Sequence, residues 1–162
     1  MATQSPTTPF EANEVASALR ASSLPRLMSQ FTLNVGILLM KERDLVATSS
    51  DDPNYPLLEE LVDRLENTVA DAEAVLHDAM FGEMPDGAIW FASKVLSIAR
   101  HAQSEGDVDR LFRAVGQNGE AIICREHGPE AEIANRHVAE VMRLVHVIAQ
   151  QRGLMPAAIK AH

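Results

Sequence analysis

The chain has 162 residues, of which 46% are hydrophobic, so it is long enough and apolar enough to form one folded domain and is not typical of a disordered protein. Its formal net charge of −9 argues against a nucleic-acid partner, because phosphate binding needs a basic face. The single cysteine excludes an intrachain disulfide, and the start of the chain has no basic signal-peptide region. The longest apolar run, 35–40, is too short for a membrane span. We therefore expect a cytoplasmic protein.

Apolar residues recur every three or four positions along most of the chain, and no segment alternates as a strand does. This pattern predicts an all-α fold. Residues 1–8 are expected to be a flexible tail. A short helix over 9–21 should begin at Pro9, and the serines before Pro25 should interrupt it.

The second predicted helix, 24–47, is apolar on nearly all sides. Its main stripe faces inward, and a second set falls on the opposite face: Leu33, Ile37 and Met40. Such a helix is either central in the fold or uses one face for a partner. The second set could be covered by Val15 and Leu19 of the first helix, or it could form a homodimer seam or a groove for a partner helix; the sequence leaves both open.

Further helices are predicted at 56–81, 87–104 and 129–152, with a short one at 107–125 and a C-terminal tail at 154–162. Because the connections are short, neighbours in sequence should run antiparallel. The expected fold is therefore an antiparallel helical bundle of four longer helices plus two short ones, forming a single domain over 9–153.

Two pairs of side chains are weak candidates for a metal site of unknown identity. Glu73 and His77 lie one helical turn apart, as do His137 and Glu140, so two such pairs on facing helices could chelate an ion. Neither pair has the Glu-x-x-His spacing of di-iron bundles, and Glu73 and His77 are more simply explained as part of a solvated acidic face. His137 projects onto an apolar face, where it could be a ligand, a base, a pH switch or a hydrogen-bonded histidine at the edge of the core.

The sequence contains no phosphate-binding loop and no catalytic constellation. Cys124 and His127 have a spacing that could pair a nucleophile with a base, but a cysteine that follows two isoleucines is more typical of core packing. Trp90 projects away from its helix stripe, so it is either a binding anchor or covered by the loop at 82–87 or by the first helix. Together these features disfavour an enzyme, although an active site completed by a partner chain stays open.

The resulting hypothesis is a non-enzymatic protein-interaction or regulatory module that needs no cofactor and self-associates through an apolar helix face. Its expected partner is a second copy or another protein. The candidate interface residues are Leu33, Ile37, Met40 and Trp90. The alternative is a helical bundle that binds a metal or a small ligand.

Overall fold

A computed structural model describes residues 9–80, 87–122 and 128–155 of the chain. These residues form five helices: α1 (Pro9–Ala47), α2 (Tyr55–Met80), α3 (Gly87–His101), α4 (Glu105–Ile122) and α5 (Pro129–Gln151). No strand occurs in the described ranges, which confirms the predicted all-α fold. None of the helices found there is long and apolar enough to cross a bilayer. The predicted tail at 1–8 lies outside the described residues, as do Cys124, His127 and positions 156–162.

The predicted division into four longer and two short helices differs from the structure in two places, at α1 and at α4. The segments predicted at 9–21 and 24–47 are one helix of 39 residues with Pro25 inside it. The segment predicted as short after α3 is α4, whose 18 residues exceed the 15 of α3. The positions of proline and glycine in the sequence therefore did not predict the lengths of these helices.

Helix α1 continues through Pro25, and large apolar side chains next to the proline and in the following turns anchor it in the core. Leu24, Met28 and Phe31 are all buried in the main core. An internal proline costs roughly 3 kcal/mol, since it removes one helical hydrogen bond and crowds the preceding turn. Burial of three large side chains at about 1.5–3 kcal/mol each outweighs that cost.

The main core lies between α1, α2, α3 and α5. Helix α1 packs most extensively on α2 and also against α5, while α3 packs on α5 and α4. The inward face of α3 consists largely of small side chains. Small side chains allow a neighbouring helix axis to approach closely, so this face suits the α3–α5 contact. The largest fully buried side chains include Phe31, Met28, Leu76, Ile89 and Leu96.

A second, smaller apolar cluster attaches α4 to the end of α5. Its buried members are Ala102, Val108 and Ala149, and Leu154 and Met155 pack against it half-buried. The first two residues of the predicted C-terminal tail thus contribute to packing. Contact between α4 and α5 also includes Phe112 and His146, whose ring centroids are 4.9 Å apart.

Helix α4 begins with a reciprocal capping box. The Ser104 hydroxyl accepts a hydrogen bond from the Asp107 backbone N–H at 3.2 Å, and the Asp107 carboxylate accepts bonds from the backbone N–H groups of Gln103 and Ser104. Ser104 is therefore the N-cap, and Asp107, at the third helical position, completes the box. The Ser104 hydroxyl lies 2.8 Å from the Asp107 carboxylate.

Candidate interaction surface on α1

The outward face of α1 carries a strip of apolar side chains that solvent can reach in the single chain. We call Leu33, Ile37 and Met40 the α1 strip. Leu33 is 57% exposed and Met40 is 52% exposed, and Ile37 between them is half-buried. The opposite side of the same turns is fully buried, as Val35 at 1% exposure shows. This segment therefore places apolar side chains both in the core and on the surface.

The continuity of α1 removes one explanation for the α1 strip. Val15 and Leu19 of a separate first helix were one of the two explanations that the sequence left open for it. They instead precede Leu33 on the same helix by roughly four to five turns, about 20–27 Å along the axis. One helix does not fold back over itself, so α1 contains no separate first helix that could pack over the strip.

Gly36 lies half-buried at the middle of the α1 strip. A methyl group added at Gly36 would find Leu144 Cδ2 of α5 as its nearest described neighbour, at 3.9 Å, which is ordinary van der Waals contact. The packing of α1 on α5 therefore leaves room for an alanine at this position.

Polar side chains border the α1 strip at both ends. Arg26 and Gln30 are exposed before it, and Lys41, Arg43 and Asp44 follow it. Lys41 Nζ lies 2.9 Å from the Asp44 carboxylate, so the second end carries an ion pair on its own helix. An apolar centre with a polar rim is the usual anatomy of a protein–protein interface.

Trp90, the fourth candidate interface residue, is 44% exposed on α3. Its backbone carbonyl accepts a hydrogen bond from the buried Ser93 hydroxyl at 2.8 Å. One turn further on, Lys94 Nζ lies 3.4 Å from His77 Nε2 of α2. The loop proposed to cover Trp90 lies mostly outside the described residues. Trp90 is on a different helix from the α1 strip, so it is a separate candidate surface.

The structure gives each carboxylate of the metal candidates an arginine partner. Glu73 forms an ion pair with Arg100 of α3, and both side chains are largely buried. Glu140 accepts bonds of 2.9 Å and 2.7 Å from the Arg143 guanidinium, and this pairing lowers the pKa of Glu140 and raises that of Arg143. His137 is buried on α5, as its projection indicated. Among the described residues, no three His, Cys, Asp or Glu side chains are grouped so that they could hold a metal.

Sequence reasoning missed a polar cluster at one end of the bundle. Burial raises the pKa of Glu42 of α1; the nearby Arg152 and Arg100 oppose that shift, and Glu66 adds to it. These four residues come from α1, α2, α3 and the end of α5. The only signal in the sequence was their charge, which is also typical of solvated faces, so their proximity was visible only after folding.

Hydrogen bonds to backbone carbonyls fix the same end of the bundle. The Arg152 guanidinium donates to the Arg100 carbonyl, and the Gln151 side-chain amide donates to the Leu39 carbonyl at 3.1 Å. The cluster therefore connects the ends of helices, as is typical of residues with a structural role.

No known family model, curated protein or solved structure significantly matches the chain. The geometry of the chain's own residues is therefore what indicates a function.

Proposed function

We propose that the protein is a non-enzymatic interaction module that self-associates through the α1 strip. The observation that supports this most directly is the exposure of Leu33 and Met40 beside Ile37, in the C-terminal half of α1. The continuity of α1 adds to it, because the residues of the predicted first helix are part of α1 itself. A second copy of the chain, bound over this face, would remove the strip from water.

Hydrophobic burial gives the expected strength of this association. At about 25 cal/mol per Å² of buried apolar surface, three large side chains on each copy contribute several kcal/mol. Association itself costs an estimated 4–15 kcal/mol in lost translational and rotational freedom. The balance favours a weak dimer whose population depends on protein concentration, as expected of a regulatory module in the cytoplasm.

The proposal also includes the antiparallel arrangement of neighbouring helices. The connections at 48–54 and 102–104 are short, so α2 should return along α1 and α4 along α3. For α4 and α5, the pairing of Phe112 with His146 and the packing of Val108 with Ala149 support opposite directions.

Self-association accounts for the described residues better than a metal site does. An ion at Glu73 or Glu140 would have to displace Arg100 or Arg143, and displacement from Glu73 would leave a largely buried guanidinium without its carboxylate. The α1 strip needs no such rearrangement before it binds a partner.

Sedimentation velocity over a range of protein concentrations tests the proposal. We expect the wild-type chain to shift from monomer towards dimer as concentration rises. Ile37→Asp should stay monomeric over the same range, because a carboxylate at the centre of the seam would be desolvated without a partner. Far-ultraviolet circular dichroism should show unchanged helicity, since Ile37 is not in the buried core.

Ile98→Asp is the matched control, because Ile98 is an equally apolar side chain, 54% exposed, on α3. It should dimerise like the wild type. A wild-type chain that is monomeric at every concentration would refute self-association. If Ile98→Asp abolished the dimer and Ile37→Asp did not, the α1 strip would be the wrong seam, and the α3 face that carries Trp90 would replace it.

A further inference from the structure

We propose that helix α2 carries a separate docking surface, which binds a basic amphipathic helix of a partner protein. Leu57, Leu61 and Val75 contact the apolar face of that helix, and Asp71 and Asp78 pair with its lysines or arginines. This surface shares no residue with the α1 strip, so the proposal goes beyond self-association and does not depend on it.

The first argument is an exposed apolar stripe along one side of α2. Leu57 is 65% exposed, Leu61 is 40% exposed and Val75 is 53% exposed. At about 100° per residue, these three and the exposed Thr68 lie within an arc of about 40°. We call these four residues the α2 stripe. It extends about 27 Å along the helix axis, so it matches one face of a partner helix of about five turns.

The packing of α2 shows that α3 does not cover the stripe. Glu73 pairs with Arg100 of α3, and His77 Nε2 lies 3.4 Å from Lys94 Nζ of the same helix. Glu73 and His77 therefore mark the side of α2 that faces α3. Val75 lies two residues from each of them in the sequence, which places it roughly 160° round the helix from both. Helix α3 thus leaves the α2 stripe open to a partner.

The second argument is the charge beside the stripe. Helix α2 contains seven acidic residues and one arginine, so it carries a formal charge of −6 in a chain of −9. The arginine, Arg64, pairs with Glu60 of its own helix. Asp71 and Asp78 are exposed, and each follows a residue of the stripe by three positions, so both border it. Among the described residues neither forms an ion pair, and both can accept one from a partner.

The charge selects the class of partner. A second copy bound through the same face would bring two strongly acidic helices together, which is unfavourable. Nucleic acids and anionic membranes are repelled by the same carboxylates. A helix with apolar side chains on one face and lysines or arginines beside them satisfies both the stripe and its acidic border. Helices that bind in this way present apolar residues every three or four positions.

Two synthetic peptides of about 20 residues test the proposal by fluorescence anisotropy. In the first, leucines share one helical face and lysines border them; the second has the same composition, but its leucines are scattered round the helix. The first should bind the wild-type chain at least about tenfold more tightly, because only it offers a continuous apolar face. Equal binding of the two would show attraction by net charge alone and would overturn the proposal.

Substitutions locate the site on α2. The double variant Leu61→Gln, Val75→Gln should bind the first peptide at least about tenfold more weakly. Ile98→Gln is the matched control, because Ile98 is 54% exposed on α3, and it should bind as the wild type does. Circular dichroism should show unchanged helicity for both variants, since the substituted side chains are exposed. Full binding by the double variant would exclude the α2 stripe as the site.

A pair of charge variants tests the acidic border. Asp71→Asn with Asp78→Asn removes two carboxylates beside the stripe, so binding should weaken and depend less on salt concentration. Glu59→Gln with Asp63→Asn removes two carboxylates from the far side of the same helix, because each follows a leucine of the stripe by two residues. This control should bind nearly as the wild type does.

Equal weakening by the two charge variants would contradict a specific border. A wild-type chain that binds neither peptide would refute the docking surface on α2. That result would leave self-association intact, since it depends on the α1 strip.

Discussion

The immediate neighbours of Asp107 determine the pKa of its carboxyl group. Hydrogen bonds from Ser104, from the backbone N–H of Gln103 and from Arg110 lower its pKa from 3.8 to about 2. The lowered pKa means that the folded state favours the ionised carboxylate. Its contribution to stability is therefore present above about pH 4 and is lost as pH falls towards 2.

Asp107→Ala should lower the free energy of unfolding at pH 7, and the difference from wild type should shrink between pH 4 and pH 2. Urea denaturation at a series of pH values measures this. Ser104→Ala, which removes the N-cap hydroxyl, should cost about 1 kcal/mol at pH 7. A difference between Asp107→Ala and wild type that stays constant down to pH 2 would mean that the carboxylate charge does not support the cap.

Glu42 is the opposite case, because burial raises its pKa. A raised pKa means that the folded state favours the neutral acid, so stability is fully present below the ordinary pKa of 4.5 and decreases as pH rises through the folded value. Glu42→Gln should therefore be as stable as wild type or more stable at pH 7. Below pH 4 the two should converge, as unfolding at several pH values would show. A Gln variant that is markedly less stable at pH 7 would indicate that the nearby arginines outweigh the burial.

At the scale of the helices, the sequence pattern predicted α2, α3 and α5 to within a few residues, because each has a regular apolar stripe bounded by proline or glycine. It failed at Pro25, since a proline can begin a helix or be tolerated inside one. The deciding quantity is the burial of Leu24 and Met28 on either side, which depends on α2, α3 and α5. The second apolar face of α1 was predictable from the spacing of Leu33, Ile37 and Met40. Cover by a separate first helix carrying Val15 and Leu19 required a break in the helix near Pro25, which the sequence could not decide.

Pro25→Ala separates the two descriptions of this segment. In a continuous helix the substitution restores a hydrogen bond and relieves crowding, so the free energy of unfolding should rise by about 1–3 kcal/mol. In a broken chain, where Pro25 would occupy the first turn of a new helix, little or no gain is expected. Urea denaturation with circular dichroism detection gives the answer, and a loss of stability would favour the break.

At the scale of the whole molecule, the Glu73–Arg100 pair joins α2 to α3 through side chains that are 27 residues apart in the chain. The stripe pattern placed Glu73 on a solvated ridge, because helical projection cannot show which helix packs beside it. In the structure both side chains are largely buried, so removing one partner leaves an uncompensated charge.

Glu73→Gln should lower the free energy of unfolding by about 2 kcal/mol at pH 7, measured by urea denaturation. Glu60→Gln is the control, because the Glu60–Arg64 pair lies within one helix and is well exposed, and it should change stability by less than about 0.5 kcal/mol. Equal effects of the two substitutions would contradict the burial of the interhelical pair.

The unbroken course of α1 has a consequence for the dimer that involves no new contact. At 1.5 Å per residue, Pro9 lies about 36 Å along the helix axis from Leu33, the first residue of the α1 strip. In the proposed dimer the start of α1 would therefore stay far from the seam, and a spectroscopic label attached there would report rotation of one copy against the other.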